Sequence, residues 1–137
     1  MAKKDEVEIN ISDYLNLKRV AGEYTTDLME VIKRKFTADA ARKAGIKVTT
    51  QQLQKAVDNF RYMNNMQKAK DTEVWMNFNG ITPEMLEEYV ETNILISKFK
   101  DRLEKKASKT KYASHPMVKG TIRNLIYEDW LNKNIKP

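Results

Sequence analysis

The chain has 137 residues and carries 25 lysines and arginines against 19 acidic residues, a formal net charge of +6. This length suits one domain with its own hydrophobic core. Because the sequence contains no cysteine and one histidine, it excludes disulfides, thiolate metal sites and multi-histidine metal sites. Glycine and proline are scarce and helix-forming residues dominate, so the composition predicts a single all-α domain.

The N-terminal segment differs in character from the rest of the chain. Residues 1–10 are charged and aperiodic, which predicts a flexible tail before a helical domain over residues 11–137. This N-terminal segment lacks the apolar run of a signal peptide. No stretch of the chain approaches the roughly 20 apolar residues that a membrane-spanning helix needs. We therefore expect a cytoplasmic protein with no membrane partner.

Capping signals and apolar spacing at i, i+3 and i+4 divide the chain into six predicted helices. The predicted starts are Ser12 or Asp13, Thr26, Thr49 with Gln52 in capping-box spacing, Asp71 or Thr72, Thr82 before Pro83, and Ser114 to Pro116. The predicted ends are Gly22, Ala44 followed by Gly45 and its apolar partner Ile46, Asn64 with Asn65, Asn79 with Gly80, and Lys106.

Two further features bear on how these helices pack. The second helix carries the small residues Ala40, Ala41 and Ala44 on its apolar stripe, which predicts close approach of another helix. Residues 107–113 are small, basic and aperiodic, so they are the best linker candidate before the last helix. The apolar face predicted for that helix consists of Val118, Ile122, Leu125, Ile126 and Trp130.

The sequence offers few residues for catalysis. Phosphate-binding loops, dinucleotide-binding glycine motifs, nucleophile elbows and zinc-protease motifs are all absent. The adjacent acids Glu87 and Glu88, like Glu128 and Asp129, point in different directions on a helix and do not converge. His115 has no orienting acid at a defined position. We therefore expect no catalytic residue, no metal site and no cofactor.

Methionine and aromatic side chains are concentrated between residues 60 and 78. Trp75, Met76 and Phe78 cannot all point in one direction on one helix, so some of them either face outward or line a groove. Methionine adapts to varied peptide ligands. The residues predicted to contact a peptide are Tyr62, Met63, Met66, Trp75, Met76 and Phe78. The alternative is that both faces are buried between neighbouring helices.

A basic stretch near the second helix supports a different function, a small nucleic-acid-binding regulator. Its cations are Lys33, Arg34, Lys35, Arg42, Lys43 and Lys47, a set suited to contacting phosphates. Only one face of the helix is free for such contacts, and the turn that follows is long for a helix-turn-helix motif. A third alternative is a structural subunit whose apolar surface forms a homodimer or larger oligomer.

The order of elements resembles a known family. The segment from Phe36 to Phe60, FTADAARKAGIKVTTQQLQKAVDNF, resembles the N-terminal domain of SurA-like peptidyl-prolyl isomerases, in which a helix ends in small residues and a glycine before an apolar-x-Val-Thr step. The segment from Trp75 to Phe99, WMNFNGITPEMLEEYVETNILISKF, resembles the short helix, glycine turn and long helix of that family. The resemblance covers residues 25–104.

This resemblance implies a chaperone-like helical module that holds extended or unfolded peptide, with a final helix that packs back on it. A parvulin-type isomerase domain is commonly inserted before that helix, and residues 107–113 occupy its place here. The isomerase domain and its activity are therefore expected to be absent. Related cytoplasmic forms accompany peptide-modifying enzymes, so the expected partners are a polypeptide client or precursor peptide and such an enzyme. We expect lysines of the module to attract acidic stretches of the client.

Overall fold

The computed structural model describes residues 11–21, 28–106 and 119–135. These residues contain six α-helices and no strand, which confirms the predicted all-α class. The helices are α1 (Ile11–Ala21), α2 (Leu28–Lys43), α3 (Thr50–Met63), α4 (Ala69–Asn79), α5 (Pro83–Lys106) and α6 (Lys119–Asn134). Helix α5 is central, because α1, α2, α3 and α6 all pack against it.

Several predictions from the sequence fall on residues outside the described ranges. They concern the tail over residues 1–10, the linker over 107–113, the end of the first helix at Gly22, the start of the second at Thr26, and the start of the last at residues 114–116.

Helices α2, α3 and α4 end in the same backbone motif. A residue with positive φ follows each of them: Gly45 (φ 83°), Asn65 (φ 57°) and Gly80 (φ 66°). In every case the next amide donates to the carbonyl five residues earlier, which defines a Schellman motif. The three hydrogen bonds join Ile46 to Ala41 (3.0 Å), Met66 to Arg61 (2.7 Å) and Ile81 to Met76 (2.8 Å). The predicted ends at residues 45, 65 and 80 are confirmed.

The apolar residue that follows each of these caps turns towards the protein interior. Met66 and Ile81 are each only 5% exposed, and Ile46 packs against the core between α2 and α5. An apolar contact of this kind commonly accompanies a Schellman motif. The local backbone motif therefore determines the direction of three side chains that join one helix to the next.

The predicted starts of α3 and α5 are confirmed. The amide of Gln52 donates to the Thr49 hydroxyl at 3.1 Å, and the amide of Thr49 donates to the Gln52 side-chain oxygen at 3.0 Å. This reciprocal pair is the expected capping box. At α5 the amide of Met85 donates to the Thr82 hydroxyl at 3.2 Å, and the helix begins at Pro83. The described part of α5 extends to Lys106, and its predicted end there borders residues outside the described ranges.

Two helix starts differ from the prediction. Helix α1 is already helical at Ile11, so Asp13 lies within its first turn and pairs with Lys35 of α2 at 3.1 Å. Helix α4 begins at Ala69 rather than at residue 71 or 72. The Thr72 hydroxyl donates to the carbonyl of Met66 at 2.9 Å, so it connects the helix to the preceding loop instead of capping it.

The core has two parts along α5. The first contains the buried residues Val20, Ile81, Leu86 and Val90, against which apolar residues of α3 and α4 pack. The second contains Ala38, Ala41, Leu95 and Phe99. Ala41 is 0% exposed, which confirms that the small residues of α2 permit close approach of another helix, here α5.

Helix α6 packs back on α2 and α5 through Trp130. Its ring lies 5.5 Å from that of Phe36 and 4.7 Å from that of Phe99. The predicted apolar face is right for Trp130 and for Ile126, which is 8% exposed. It is wrong for Leu125, which is 47% exposed.

A buried hydrogen bond joins α6 to α2. The hydroxyls of Tyr127 and Thr37 lie 2.9 Å apart, and the Thr37 hydroxyl donates to the carbonyl of Lys33 at 2.7 Å. Because a hydroxyl has one proton to donate, Tyr127 is the donor of the bond between the helices. Thr37 is 0% exposed, so this bond satisfies a polar group in the interior.

The pH dependence of stability should report on Tyr127. Burial raises its pKa above the ordinary 10.0, and the carboxylates of Glu30 and Glu128 act in the same direction, against the hydrogen bond with Thr37 and the charge of Arg34. The Lys100 ammonium also lies 4.5 Å from the ring. A phenol whose pKa is higher in the folded than in the unfolded state stabilises the fold fully below the unfolded value. That contribution is lost as pH rises through the folded value.

We therefore expect the free energy of unfolding to fall above about pH 10, where the unfolded phenol begins to ionise. The measurement is urea unfolding of the wild type and of Tyr127→Phe at a series of pH values. Other titrating groups cancel in the comparison, so the stability advantage of the wild type should shrink as pH rises. An advantage that stays constant across this range contradicts the prediction.

Candidate functional site

An open groove lies between α3 and α4 and reaches the first turn of α5. It has a volume of about 440 Å³. The larger apolar side chains that line it are Leu53 and Val57 from α3, Met76 from α4 and Leu86 from α5. Leu53 and Val57 are four residues apart and so share one face of α3. These side chains also pack against the first core cluster, so the groove is open to solvent at one side of that cluster.

Aromatic contacts join the three helices that form the groove. The ring of Phe60 on α3 lies 5.7 Å from that of Trp75 on α4 and 6.1 Å from that of Tyr89 on α5. Tilted and edge-on arrangements at these distances are favourable. They anchor one face of α4, which leaves the adjacent face with Met76 free to line the groove.

Arg61 stabilises the loop between α3 and α4. Its guanidinium donates to the carbonyls of Met66 (3.2 Å) and Gln67 (3.0 Å) and to the Thr72 hydroxyl (2.9 Å). It also lies 3.8 Å from the carboxylate of Asp58. Although Arg61 lines the groove, its Nε and one of its terminal nitrogens donate within the chain, and the other terminal nitrogen lies nearest to Asp58.

Two carboxylates complete the polar edge of the groove. Glu73 lies on α4 and Glu87 on α5, and both line the groove. Both residues are exposed, and neither carboxylate has a hydrogen bond or ion pair to another described residue. Because Asp58 offsets part of the Arg61 charge, the groove combines an apolar lining with a net negative edge.

The six residues predicted to contact a peptide are not brought together at one site. Met66 is 5% exposed and belongs to the interior, so the prediction of a surface role is wrong for it. Trp75 and Met76 are half-buried, and only Met76 lines the groove. Tyr62, Met63 and Phe78 are 63%, 72% and 88% exposed, but they lie outside it.

Apart from Met76, the apolar residues that line the groove were recognised in the sequence only as part of the apolar spacing of helices. Leu53 and Val57 follow the i, i+4 apolar spacing by which the third helix was predicted, and nothing in that spacing distinguishes a covered face from an open one. For Met66 a signal was present. The step Asn64-Asn65-Met66 repeats the pattern of Ala44-Gly45-Ile46 and Asn79-Gly80-Ile81, in which the third residue turns inward.

The basic stretch on and after α2 is largely engaged in contacts within the chain. Arg34 donates to the Asn93 side-chain oxygen at 2.8 Å, and burial lowers the pKa of its guanidinium. The ion pairs in this stretch are Lys35 with Asp13 (3.1 Å), Arg42 with Glu91 (3.2 Å) and Lys43 with Asp39 (3.1 Å). Among the described residues, only the side chains of Lys33 and Lys47 in this set have no such partner. Because most of these cations have partners within the chain, they do not favour a continuous basic surface that would bind the phosphates of a nucleic acid.

The part of the chain that the structure describes contains no group of three or more acidic or histidine side chains placed to hold a metal ion. Nor does any helix within the described ranges combine the length and the apolar character that crossing a membrane requires.

Comparison with known proteins does not extend these observations. No known protein family, curated protein or solved structure matches the chain. The resemblance to SurA-like proteins therefore stays a prediction from the sequence pattern.

Proposed function

We propose that this chain is a non-catalytic, chaperone-like module that binds an extended or unfolded peptide in the groove between α3 and α4. The observation that carries the proposal is the open apolar lining of that groove, formed by the half-buried Leu53, Val57 and Met76 over the buried Leu86. Ligand sites are typically concave and mostly apolar, with a few polar groups at their edges. A flexible methionine among the lining residues suits peptides of varied sequence.

The dimensions of the groove suit a short extended segment. At a rise of about 1.5 Å per helical residue, the lining of α3 from Thr50 to Arg61 spans about 16 Å. An extended peptide advances about 3.3 Å per residue, so about five residues fit along it. Alternate side chains point to one side, so two or three of them enter the groove.

The expected affinity is modest. Burying one apolar side chain contributes about 1.5–3 kcal/mol, but ordering the peptide and losing its translational freedom offset much of the gain. Two or three buried side chains contribute at most about 9 kcal/mol before these costs, so the expected dissociation constants lie nearer to millimolar than to micromolar. Selectivity should be weak, because an adaptable apolar groove discriminates poorly between side chains of similar size.

Methyl NMR of the seven methionines locates the contact directly. On titration with a short unstructured peptide that carries alternating leucine and phenylalanine, the Met76 methyl signal should shift in a saturable manner. Trp75 packs on Phe60 beside the groove, so its fluorescence gives the affinity in the same titration.

Met66 and Met63 are internal controls for this experiment. Met66 is 5% exposed and Met63 is 72% exposed outside the groove, so neither methyl should move. A shift at Met63 without one at Met76 would move the contact to the exposed end of α3. The absence of saturable binding for every unfolded or leader-type peptide would eliminate the proposal.

The proposal includes a biological setting. A cytoplasmic helper of peptide maturation would take a precursor peptide as its client and work with a peptide-modifying enzyme. The support for this setting is the resemblance of residues 25–104 to SurA-like modules and the short segment 107–113 in place of an isomerase domain. A neighbouring gene for a short precursor peptide or a peptide-modifying enzyme would strengthen it.

A further inference from the structure

We infer that the groove between α3 and α4 selects apolar peptide segments flanked by lysine or arginine over segments flanked by acidic residues. The inference rests on the proposed function, since it presupposes that peptide occupies this groove. The net charge of +6 would suggest a negatively charged partner. This inference instead predicts a partner with positive charges beside its apolar segment.

The carboxylates of Glu73 and Glu87 carry this inference. They belong to different helices, α4 and α5, and both line the groove. Neither forms an ion pair or hydrogen bond with any residue in the described ranges. Both are therefore available to cations of a peptide whose apolar side chains enter the groove between them.

The cation that lines the same groove is less available. Arg61 donates to two loop carbonyls and to the Thr72 hydroxyl, and its charge is partly offset by Asp58 at 3.8 Å. The basic residues that give the chain its net charge of +6 include the α2 cations, most of which are paired with acids of α1, α2 and α5. The charge at the groove is thus opposite to that of the whole chain.

Exposed ion pairs contribute little individually, and salt screens them. One such pair strengthens binding by about 1.5-fold to fivefold. With two carboxylates engaged, we expect a lysine-flanked peptide to bind about threefold to tenfold more tightly than a glutamate-flanked peptide with the same apolar centre. The preference should diminish as the salt concentration rises.

The test compares these two peptides in titrations that use Trp75 fluorescence and the Met76 methyl signal. In the double variant Glu73→Gln and Glu87→Gln, the preference for lysine flanks should disappear while the apolar centre still binds. Both positions are exposed, so the fold should tolerate the change. The matched control is Glu128→Gln, an exposed acid on α6 that does not line the groove and should leave the preference intact.

The outcomes separate this inference from the proposed function. Equal affinity for both peptides, with a saturable shift at Met76, would overturn the inference and leave peptide binding in place. Tighter binding of the glutamate-flanked peptide would also overturn it and would point to cations outside the groove. If neither peptide binds, the proposed function fails and the inference fails with it. Competition between peptide binding and concentration-dependent self-association would assign the groove to a second copy of the chain and overturn the inference.

Discussion

Replacing Trp130 with alanine is expected to lower the free energy of unfolding by about 3–5 kcal/mol. This side chain joins α6 to both α2 and α5. Its ring lies 5.5 Å from Phe36 of α2, 4.7 Å from Phe99 of α5 and 6.3 Å from its neighbour Tyr127 on α6. Alanine would remove these ring contacts and leave a cavity between three helices.

Urea unfolding followed by circular dichroism measures this effect. Because the chain has two tryptophans, the variant keeps Trp75 alone, whose fluorescence reports separately on the region between α3 and α4. A domain of this size has a stability of about 5–15 kcal/mol, so the loss is a large fraction of the total.

The matched control for Trp130 is Leu125→Ala on the same helix. Leu125 is 47% exposed, so its truncation should cost less than about 1 kcal/mol. If Trp130→Ala and Leu125→Ala destabilise the protein equally, then docking of α6 does not depend on the aromatic cluster. A loss confined to α6, with the Trp75 transition unchanged, would instead show that the last helix unfolds independently.

Leu95→Ala is the second large effect, with an expected loss of about 2–5 kcal/mol. Leu95 is 2% exposed and packs beside Ala38 and Ala41, where α2 approaches α5 closely. Those neighbours have short side chains that cannot extend into the space that the leucine leaves. The cavity should therefore persist, which puts the cost towards the upper part of this range.

The same denaturation experiment tests Leu95→Ala, with Leu28→Ala as the matched control. Leu28 begins α2 and is 54% exposed, so the same truncation should change the stability by less than about 1 kcal/mol. A loss below that of the control would mean that α2 and α5 can close the cavity by moving together. Because Leu95 lies in the second core cluster, the folded variant should keep the peptide affinity of the wild type.

Helix boundaries were predicted best where a short-range signal determines them. The capping box at Thr49 and the left-handed residues at positions 45, 65 and 80 depend on hydrogen bonds that span three to five residues. Helix α4 departs from this pattern. It starts without a side-chain cap at Lys68, and Thr72 bonds to the preceding loop instead.

The candidate site was predicted only in part. An apolar excess between residues 60 and 78 correctly indicated that not every face of α3 and α4 is covered, since Phe78 is 88% exposed. The excess did not indicate which face is open. Met66 turned out to be buried, and Leu86 of α5 contributes to the groove from another part of the chain.

The sequence by itself determined the helical class, the capping residues and the small-residue stripe on α2, because these follow from local hydrogen bonding, side-chain spacing and side-chain size. The tertiary structure decided what covers each helix. Arg61 donates to the loop between α3 and α4, and Glu73 and Glu87 line one groove although they lie on different helices. Cations of α2 form ion pairs with acids of α1 and α5. Burial and charge pairing depend on which helices come together, and residues distant in the chain determine that.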